Sequence, residues 1–272
     1  MNYSDTYNFE NKIAVVTGAA GIIGVELCGA LCELGAKVAC LDVNSHSLNQ
    51  LVKRLNEQYG KKKAISLDCD VSKPECVREA VDEIINQYSN IDILFNNAAT
   101  KTDEISSFFD SFSEYSLEVW KQVMAVNLDG MFLMAQGVGK YMQNARQGSI
   151  VQTASIYSMM GPDQRVYDGS SYLGEDINTP AVYTTSKAGV IGLTKHLATL
   201  WGKFNIRVNA ICPGGVYSGQ NDTFVSNYTN RIPLGRMATP FDIIAPMLFL
   251  ASDASCYVTG QVLFADGGLS AW

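Results

Sequence analysis

The sequence predicts a single α/β domain on a doubly wound parallel sheet of about seven strands, with helices on both faces. Two observations predict it. Short apolar runs alternate with amphipathic helical segments along the 272 residues, and glycine-rich or small-residue turns follow several of the runs. No repeat or linker interrupts the alternation, so the domain is expected to span residues 1–272.

The composition argues against several classes of protein. Hydrophobic residues make up 47% of the chain and charged residues 17%, and the formal net charge is −7. A weakly acidic surface argues against nucleic acid and anionic membranes as partners, and no apolar run is long enough to span a bilayer. Residues 1–12 contain no secretory core, so we expect a cytoplasmic location.

Most of the cysteines lie inside apolar elements and are expected to be core residues. There are seven of them, an odd number, and no Cys-x-x-Cys motif occurs. Cys28 and Cys32 share one face of a predicted helix, and the chain has only two histidines. We therefore expect neither a disulfide nor a metal site, and a reducing compartment.

The first strand and the turn that follows it predict a nucleotide-phosphate site. Residues 12–17 read as a buried strand, and Gly18, Gly21 and Gly24 come before a helix predicted over 25–34. Glycines let the backbone approach a pyrophosphate, and a helix start offers free N–H groups. This order of strand, turn and helix is typical of a Rossmann-like fold.

The second strand, predicted over 38–42, ends at Asp42. A carboxylate at this position can accept hydrogen bonds from the ribose hydroxyls of adenosine, and it would repel a 2′-phosphate. Val43 follows instead of arginine, and the glycine turn carries no basic residue. These features favour NAD over NADP; the alternative is a solvated aspartate at a strand end.

The third strand, 64–67, lies between helices predicted over 44–59 and 75–88. Asp70 comes just after it and can accept from the adenine amino group, with Val71 supplying a backbone N–H. The competing role for Asp70, or for Ser72, is to cap the helix that begins at residue 75. The residues leave both roles open.

The fourth strand, predicted over 91–95, is followed by Asn97 and Ala98, and small residues there let a cofactor lie close. A polar and aromatic loop is expected over 106–114. One long helix is then predicted over 117–142, with Asn127 in an apolar stretch. A buried asparagine needs hydrogen-bond partners, which suggests a kink or a bound water.

The fifth strand, 148–153, delivers Ser155 to the carboxyl edge of the sheet, where ligands bind in open α/β folds. Residues 158–179 are polar and expected to be irregular. The remaining elements are a helix over 180–200, a strand over 206–212, the turn Pro213 to Val216, a polar lid at about 216–232, a helix over 240–250 and a strand over 261–265.

Tyr183 and Lys187 lie four positions apart, which places both side chains on one face of a helix. Thr179 and Pro180 before them read as a capping hydroxyl and a first-turn proline. A lysine ammonium one turn away favours the phenolate and lowers the tyrosine pKa. Lowering it by about 3 units needs roughly 4 kcal/mol, which suits one close charge in a partly dry site.

Taken together, these residues resemble the classical short-chain dehydrogenase/reductase family. The resemblance runs from Lys12 to Gly268 and rests on motifs in the family's order: Thr17-Gly18 with Gly24, Asp42, Asp70-Val71, Asn96-Asn97-Ala98, Asn127, Ser155, Tyr183 with Lys187, Pro213-Gly214 and Asp266-Gly267-Gly268. It implies an NAD-dependent oxidoreductase that interconverts a secondary alcohol and a ketone.

The resemblance also implies roles for individual residues. Tyr183 would be the general acid/base, Lys187 would lower its pKa and bind the nicotinamide ribose, and Ser155 would hold the substrate oxygen. Asn127 would anchor a water that links Lys187 to solvent. The residues implied in NAD binding are Gly18, Gly21, Ile23, Gly24, Asp42, Asp70, Val71, Asn97, Ala98, Tyr183, Lys187, Pro213, Gly214 and Val216.

The chain departs from the family pattern in two places. Ile22 stands where the middle glycine of the turn is expected, a spacing closer to the extended branch that includes sugar-nucleotide epimerases and dehydratases. Too few residues follow the last strand for that branch's substrate domain. In addition, Ser155 and Tyr183 are 28 positions apart (183 minus 155), about twice the family spacing. We interpret the surplus, about 159–179, as an insertion that borders the substrate pocket; an interface or a surface flap is the alternative.

The polar insertion and lid favour a polar, hydroxyl-rich substrate such as a sugar, sugar acid or sugar nucleotide. Arg165 and Arg231 could hold a phosphate or carboxylate on it. The alternatives are an epimerase or dehydratase that oxidises its substrate transiently, and an NAD-binding protein without turnover. Because family members usually form dimers or tetramers, the resemblance implies a homodimer or homotetramer.

Overall fold

The computed structural model describes residues 3–102, 105–172 and 174–272. The strands are β1 (Ile13–Thr17), β2 (Lys37–Asp42), β3 (Ala64–Asp68), β4 (Ile93–Asn96), β5 (Gly148–Thr153), β6 (Ser171–Tyr172), β7 (Glu175–Asp176), β8 (Ile206–Pro213) and β9 (Val262–Ala265). The helices are α1 (Ile22–Glu33), α2 (Ser45–Tyr59), α3 (Pro74–Tyr88), α4 (Ile105–Phe108), α5 (Leu117–Met124), α6 (Gly130–Ala145), α7 (Ala181–Trp201), α8 (Asp222–Thr229) and α9 (Pro240–Ala251).

The main sheet has seven strands in the order β3-β2-β1-β4-β5-β8-β9, and every pairing is parallel. The order reverses between β1 and β4, which opens a crevice at the carboxyl edge of the sheet. The predicted fold class is therefore confirmed.

Two hydrophobic layers cover the two faces of the sheet. Successive side chains of a strand point to opposite faces, so Val16 packs with α1, α2 and α9 while its neighbour Val15 packs with α3, α6 and α7. The strands read as continuous apolar runs because both of their faces are buried. This burial holds their carboxyl ends at one edge of the sheet.

Helix α1 begins at Ile22, three residues before the predicted start, with Gly21 at the N-cap position. The last glycine of the turn, Gly24, therefore lies inside the helix. A Cβ atom there would stand 2.2 Å from the Gly18 carbonyl oxygen, so only glycine lets this helix turn lie on the loop before it.

The helix predicted over 117–142 is divided. A π turn from Ala125 to Asp129 separates α5 from α6, and Asn127 lies in the middle of it. The sequence therefore marked the irregularity correctly, but a π turn produces it. Farther back, the loop expected over 106–114 contains the short helix α4 at its start.

The insertion at 159–179 is more ordered than predicted, although one of its residues, Leu173, lies outside the described residues. It contains a 3-10 turn over Gln164–Tyr167 and the antiparallel hairpin of β6 and β7. Thr179 does not cap α7, which has Pro180 at its N-cap. The Thr179 hydroxyl instead bonds the hydroxyl of Tyr167.

The polar lid at 216–232 contains α8, and α8 packs on the insertion. The rings of Tyr167, Phe224 and Tyr228 stack in sequence with centroids 5.5 Å apart at each contact. The Asn221 amide donates to the Ser171 carbonyl over 3.1 Å. Sequence reasoning missed this contact because the buried aromatics of α8 are spread among polar residues.

Candidate active site

The glycine turn forms a cradle between β1 and α1. Gly18 has a left-handed φ of +63°, and a Cβ atom on it would stand 2.9 Å from the Ala98 Cα. Ile22 is 54% exposed, so the isoleucine at the expected glycine position points away from the packed side of the turn. Ile23 follows in the first turn of α1, where backbone N–H groups have no partner within the helix.

Asp42 ends β2 beside this cradle. Its carboxylate accepts from the Ala20 N–H and from the Asn44 N–H, each over 2.9 Å. The aspartate thus fixes the glycine turn and remains at the carboxyl edge. None of the ion pairs found among the described residues includes Asp42, so no cation there neutralises its charge.

The Asp70 carboxylate forms its hydrogen bonds and ion pair with residues of its own turn. Its carboxylate accepts from the Ser72 N–H at 3.0 Å and hydroxyl at 2.6 Å, and it pairs with Lys73 at 3.1 Å. Burial alone would raise the pKa of Asp70, but these bonds outweigh burial and lower it. The N-cap of α3 is Lys73, so the alternative that Asp70 or Ser72 caps this helix is wrong.

A buried hydroxyl joins the ends of β1 and β4. Thr17 accepts from the Asn97 N–H at 2.9 Å and from the Ala98 N–H at 3.0 Å. Asn97 in turn accepts from the Thr153 hydroxyl at the end of β5, over 3.3 Å. Thr17 was missing from the predicted site residues; the signal was a hydroxyl at the end of an otherwise apolar strand.

Ser155, Tyr183 and Lys187 converge just past the end of β5. Ser155 is buried, caps a short 3-10 turn by accepting from the Tyr157 N–H at 3.2 Å, and shares a hydrogen bond with the Tyr183 hydroxyl. Lys187 is 2% exposed, and its Nζ donates to the Thr153 carbonyl over 2.8 Å. The Lys187 Nζ lies 5.9 Å from the centre of the Tyr183 ring.

The expected lowering of the Tyr183 pKa is wrong for this arrangement. Burial raises the pKa of Tyr183, and the hydrogen bond with Ser155 offsets only part of the effect. Burial also lowers the pKa of Lys187 to about 8, because the ammonium form loses its hydration. Burial therefore sets the direction of the Tyr183 pKa shift, and the Tyr183 phenol is protonated at neutral pH.

Asn127 braces the helix that carries this cluster. It is fully buried, its Oδ1 accepts from the Thr100 N–H over 2.9 Å, and its Nδ2 donates to the Ser186 hydroxyl over 3.4 Å. The Ser186 hydroxyl donates to the Tyr183 carbonyl over 2.9 Å. Ser186 was missed, although its position three residues after Tyr183 places it on the same face of α7.

The turn after β8 closes the far side of the crevice. Pro213 ends the strand, the Gly214 N–H donates to the Ala265 carbonyl over 2.9 Å, and Val216 forms a bridge with Ala238. A Cβ atom on Gly214 would stand 2.9 Å from the Asp266 Cα. The predicted turn therefore lies at the same edge as the glycine cradle and the Ser155 cluster.

Comparison with known proteins identifies the family. The short chain dehydrogenase family model matches residues 12–228. The chain belongs to the short-chain dehydrogenase/reductase family. Members are oxidoreductases that act on CH–OH groups and bind a nicotinamide dinucleotide.

Two curated relatives differ in their named substrates. D-threitol dehydrogenase from Mycolicibacterium smegmatis is 34% identical over 96% of this chain and 94% of the relative. A 3-oxoacyl-acyl-carrier-protein reductase from Thermotoga maritima is 36% identical over 96% of this chain and 98% of the relative. Both matches cover nearly the whole chain, so identity alone does not select a substrate.

Two similar solved structures contain different nicotinamide cofactors. A short chain dehydrogenase from Leptospira borgpetersenii with bound NAD+ is 34% identical and superposes with a TM-score of 0.85 over 99% of this chain and 96% of that one. A gluconate 5-dehydrogenase from Burkholderia cenocepacia in complex with NADP and tartrate is 28% identical, with a TM-score of 0.87 over all of both chains.

The two arginines predicted to hold an anionic group on the substrate of this dehydrogenase are already paired. Arg165 donates to Asp163 through Nε at 2.8 Å and Nη2 at 2.7 Å. Arg231 also pairs with Asp163. One carboxylate therefore engages both guanidinium groups, which removes the observation that favoured a phosphate or carboxylate on the substrate.

Three further tyrosines surround Tyr183 and were missed as site residues. Tyr157 follows Ser155 by two positions and is linked to Tyr167 by a hydrogen bond. Tyr228 accepts from the Gly215 N–H at 2.7 Å, and burial raises its pKa to about 12. Tyr183 is thus surrounded by neutral phenols that can donate and accept hydrogen bonds.

No three acidic, histidine or cysteine side chains of residues 3–102, 105–172 and 174–272 lie together in a way that could hold a metal ion. All seven cysteines are free thiols, and Cys28 and Cys32 are buried as expected. None of the helices within these ranges combines the length and apolar character needed to cross a membrane.

Proposed function

We propose that this chain is an NAD-dependent dehydrogenase that interconverts a secondary alcohol and a ketone on a small polyol or sugar. The observation that carries the proposal is the Ser155, Tyr183 and Lys187 cluster beside the glycine cradle. It offers a protonated phenol, a second hydroxyl and a buried cation at one sheet edge. A carbonyl that becomes an alcohol needs such a proton donor and polar support.

In the proposed reaction, Tyr183 donates its phenolic proton to the substrate oxygen during reduction and takes it back during oxidation. Ser155 holds the same oxygen through a hydrogen bond. Lys187 is held by the Thr153 carbonyl and supplies positive charge at the site, favouring the oxyanion. Asn127 keeps the first turn of α7 in place. When bound, the dinucleotide supplies the hydride acceptor or donor.

The carboxyl edge fits a dinucleotide. Gly18 and Gly24 let the turn pack closely against Ala98 and against the start of α1, and Gly21 and Ile23 present the helix start to a pyrophosphate. The other residues that we propose to hold the cofactor are Asp42 at the adenosine ribose, Asp70 and Val71 at the adenine, and Asn97, Ala98, Tyr183, Lys187, Pro213, Gly214 and Val216 toward the nicotinamide.

NAD is favoured over NADP because the Asp42 charge has no cationic partner among the described ion pairs and would repel a 2′-phosphate. The Leptospira borgpetersenii relative holds NAD+ and supports this choice, whereas the Burkholderia cenocepacia gluconate 5-dehydrogenase holds NADP. The choice of NAD over NADP therefore rests on the charge of Asp42 at the end of β2.

The substrate proposal rests on polarity. The D-threitol dehydrogenase relative supports a polyol, and the phenols around Tyr183 suit hydroxyl groups better than an acyl chain. We propose that the insertion at 159–179 and the lid at 216–232 border the substrate. The engagement of Arg165 and Arg231 by Asp163 favours a neutral substrate over a sugar acid or sugar nucleotide.

The test is an assay of the purified protein with NAD+ and NADP+ against polyols, sugars and sugar acids, and with NADH and NADPH against a 3-oxoacyl thioester, followed at the absorbance band of the reduced cofactor. We expect NAD-linked turnover of a polyol or sugar. Tyr183→Phe should abolish turnover while NAD+ still binds, and Tyr257→Phe, at a fully exposed tyrosine outside the insertion and the lid, should leave turnover unchanged.

Other outcomes of this assay would overturn the proposal. Turnover of only the 3-oxoacyl thioester would place the chain with the Thermotoga maritima reductase. Product formation without accumulated NADH would indicate an epimerase or dehydratase with transient oxidation, and NAD+ binding without any turnover would indicate a binding protein. We also propose a homodimer or homotetramer, which sedimentation would test, and a cytoplasmic location stays a prediction.

A further inference from the structure

A cavity of about 730 Å³ lies beside the catalytic cluster and is not part of it. Its walls are the parts of the insertion within 162–170 and 176–179, the loop over 110–115 and the start of α7. Tyr183 faces Ser155, whereas the next two residues, Thr184 and Thr185, line the cavity. Its volume is in the range of small-molecule sites.

Hydrogen bonds between separate segments hold the walls in place. The Gln164 amide donates to the Thr179 carbonyl over 2.9 Å and accepts from the Thr179 N–H over 3.2 Å. The Tyr167 hydroxyl bonds the Thr179 hydroxyl, and the Asn178 amide donates to the Phe109 carbonyl. The cavity is therefore framed by specific contacts instead of by loosely packed loops.

Unpartnered hydroxyls are concentrated on this cavity. In the described part of the chain, five residues carry a buried side-chain oxygen or nitrogen without a hydrogen-bond partner: Tyr88, Tyr115, Gln152, Ser170 and Thr184. Three of the five, Tyr115, Ser170 and Thr184, line the cavity. Ser170 is only 5% exposed, and a buried hydroxyl without a partner is costly.

The charge of the lining selects the kind of ligand. Asp110, Asp168 and Asp176 line the cavity, and none of the described residues that line it is a lysine, arginine or histidine. The three carboxylates do not form a group that could hold a metal ion. An anionic ligand would be repelled, whereas sugar hydroxyls can donate to carboxylates and to amide oxygens.

We propose that this cavity is a second ligand site, separate from the catalytic cluster, for a polyhydroxylated small molecule without phosphate or carboxylate. The hydroxyls of such a ligand would satisfy Ser170, Thr184 and Tyr115 and would donate to the carboxylates. Because its walls include the segment that joins Ser155 to Tyr183, an occupied cavity stiffens the insertion beside the active site.

The test uses saturation-transfer NMR and calorimetry on the full chain carrying Tyr183→Phe, so that no turnover occurs. The probes are sorbitol and glucose as neutral ligands, and gluconate and glucose 6-phosphate as anionic ones. We expect the neutral probes to bind with at least about tenfold preference. Asp176→Lys should weaken their binding and admit glucose 6-phosphate.

Glu175→Lys is the matched control, because it makes the same charge change one residue earlier on the hairpin and does not line the cavity. Equal effects of the two lysine variants, or no binding of any neutral probe at millimolar concentration, would overturn the proposal. Ser170→Ala, a small change unlike the lysine variants, should weaken neutral probes alone. Binding that depends on Asp176, together with an absence of dehydrogenase activity in the wild-type protein, would support this site and reject the proposed function separately.

Discussion

Replacing Asp42 by asparagine separates the charge of this side chain from its structural role. The carboxylate is half-buried at the end of β2 and accepts from the Ala20 and Asn44 N–H groups, each over 2.9 Å. Asparagine keeps one of its two oxygens, so one of these N–H groups loses its acceptor. Both cofactors share the glycine turn, so this loss cancels when their affinities are compared.

The remaining difference is electrostatic. Two unit charges about 5 Å apart repel by about 3 kcal/mol at an effective dielectric constant of about 20, and by about 1 kcal/mol in water. Asp42 is half-buried, which places it between these limits. Asp42→Asn should therefore change the ratio of the NADP+ and NAD+ dissociation constants by about 5- to 150-fold in favour of NADP+.

The assay is titration calorimetry of NAD+ and NADP+ with the wild-type and variant proteins at two ionic strengths. Salt should reduce the wild-type preference, because it screens the partly exposed charge. Asp68→Asn is the control: Asp68 is the exposed neighbour of Asp42 on β3 and makes the same change of charge one strand away. An unchanged ratio in Asp42→Asn would refute the assignment of Asp42 to the adenosine ribose.

Three other variants or conditions test the remaining parts of the structure. Gly24→Ala should weaken NAD+ binding by about tenfold or more in a calorimetric titration, because the new Cβ atom would lie 2.2 Å from the Gly18 carbonyl oxygen. Gly29→Ala is the control: its new Cβ atom would have no neighbour within 4 Å, so this variant should bind NAD+ normally. Burial raises the pKa of Tyr183, so only a small, pH-dependent fraction of the phenol is ionised and able to accept a proton. The kcat of alcohol oxidation should therefore rise by up to about tenfold per pH unit between about pH 7 and 9, whereas the kcat of ketone reduction should not rise. Parallel pH profiles of kcat in the two directions would contradict this. Arg207→Met should lower the free energy of unfolding in urea by about 3 kcal/mol, because the guanidinium donates to the Leu250, Ala251 and Ser252 carbonyls at the end of α9. The exposed Arg54→Met is its control, and equal losses would refute the capping role.

The fold was predictable because its signals are local and repeated. The strands that reach the sheet are apolar runs buried on both faces, so composition alone placed them within about two residues. The order of strands and helices then specified a parallel sheet. The start of α1 was misplaced because three residues of the glycine turn are helical, and glycine content argues against a helix.

The site residues were predictable in kind, and their electrostatics were not. Tyr183 and Lys187 share a helix face, as their spacing indicated, yet the pKa of Tyr183 moves upward, because burial depends on neighbours from other elements. The pairing of Arg165 and Arg231 with Asp163 depends on a contact between the insertion and the end of the lid. Sequence spacing carries no information about such contacts.

The π turn between α5 and α6 winds one additional residue into an otherwise regular helix. Deleting a single residue between 125 and 129 would restore ordinary winding and rotate Asn127 by about 100° around the helix axis. Its amide would then leave both Thr100 and Ser186, and the first turn of α7 would lose its brace. The irregular winding between α5 and α6 is thus what lets Asn127 contact α7.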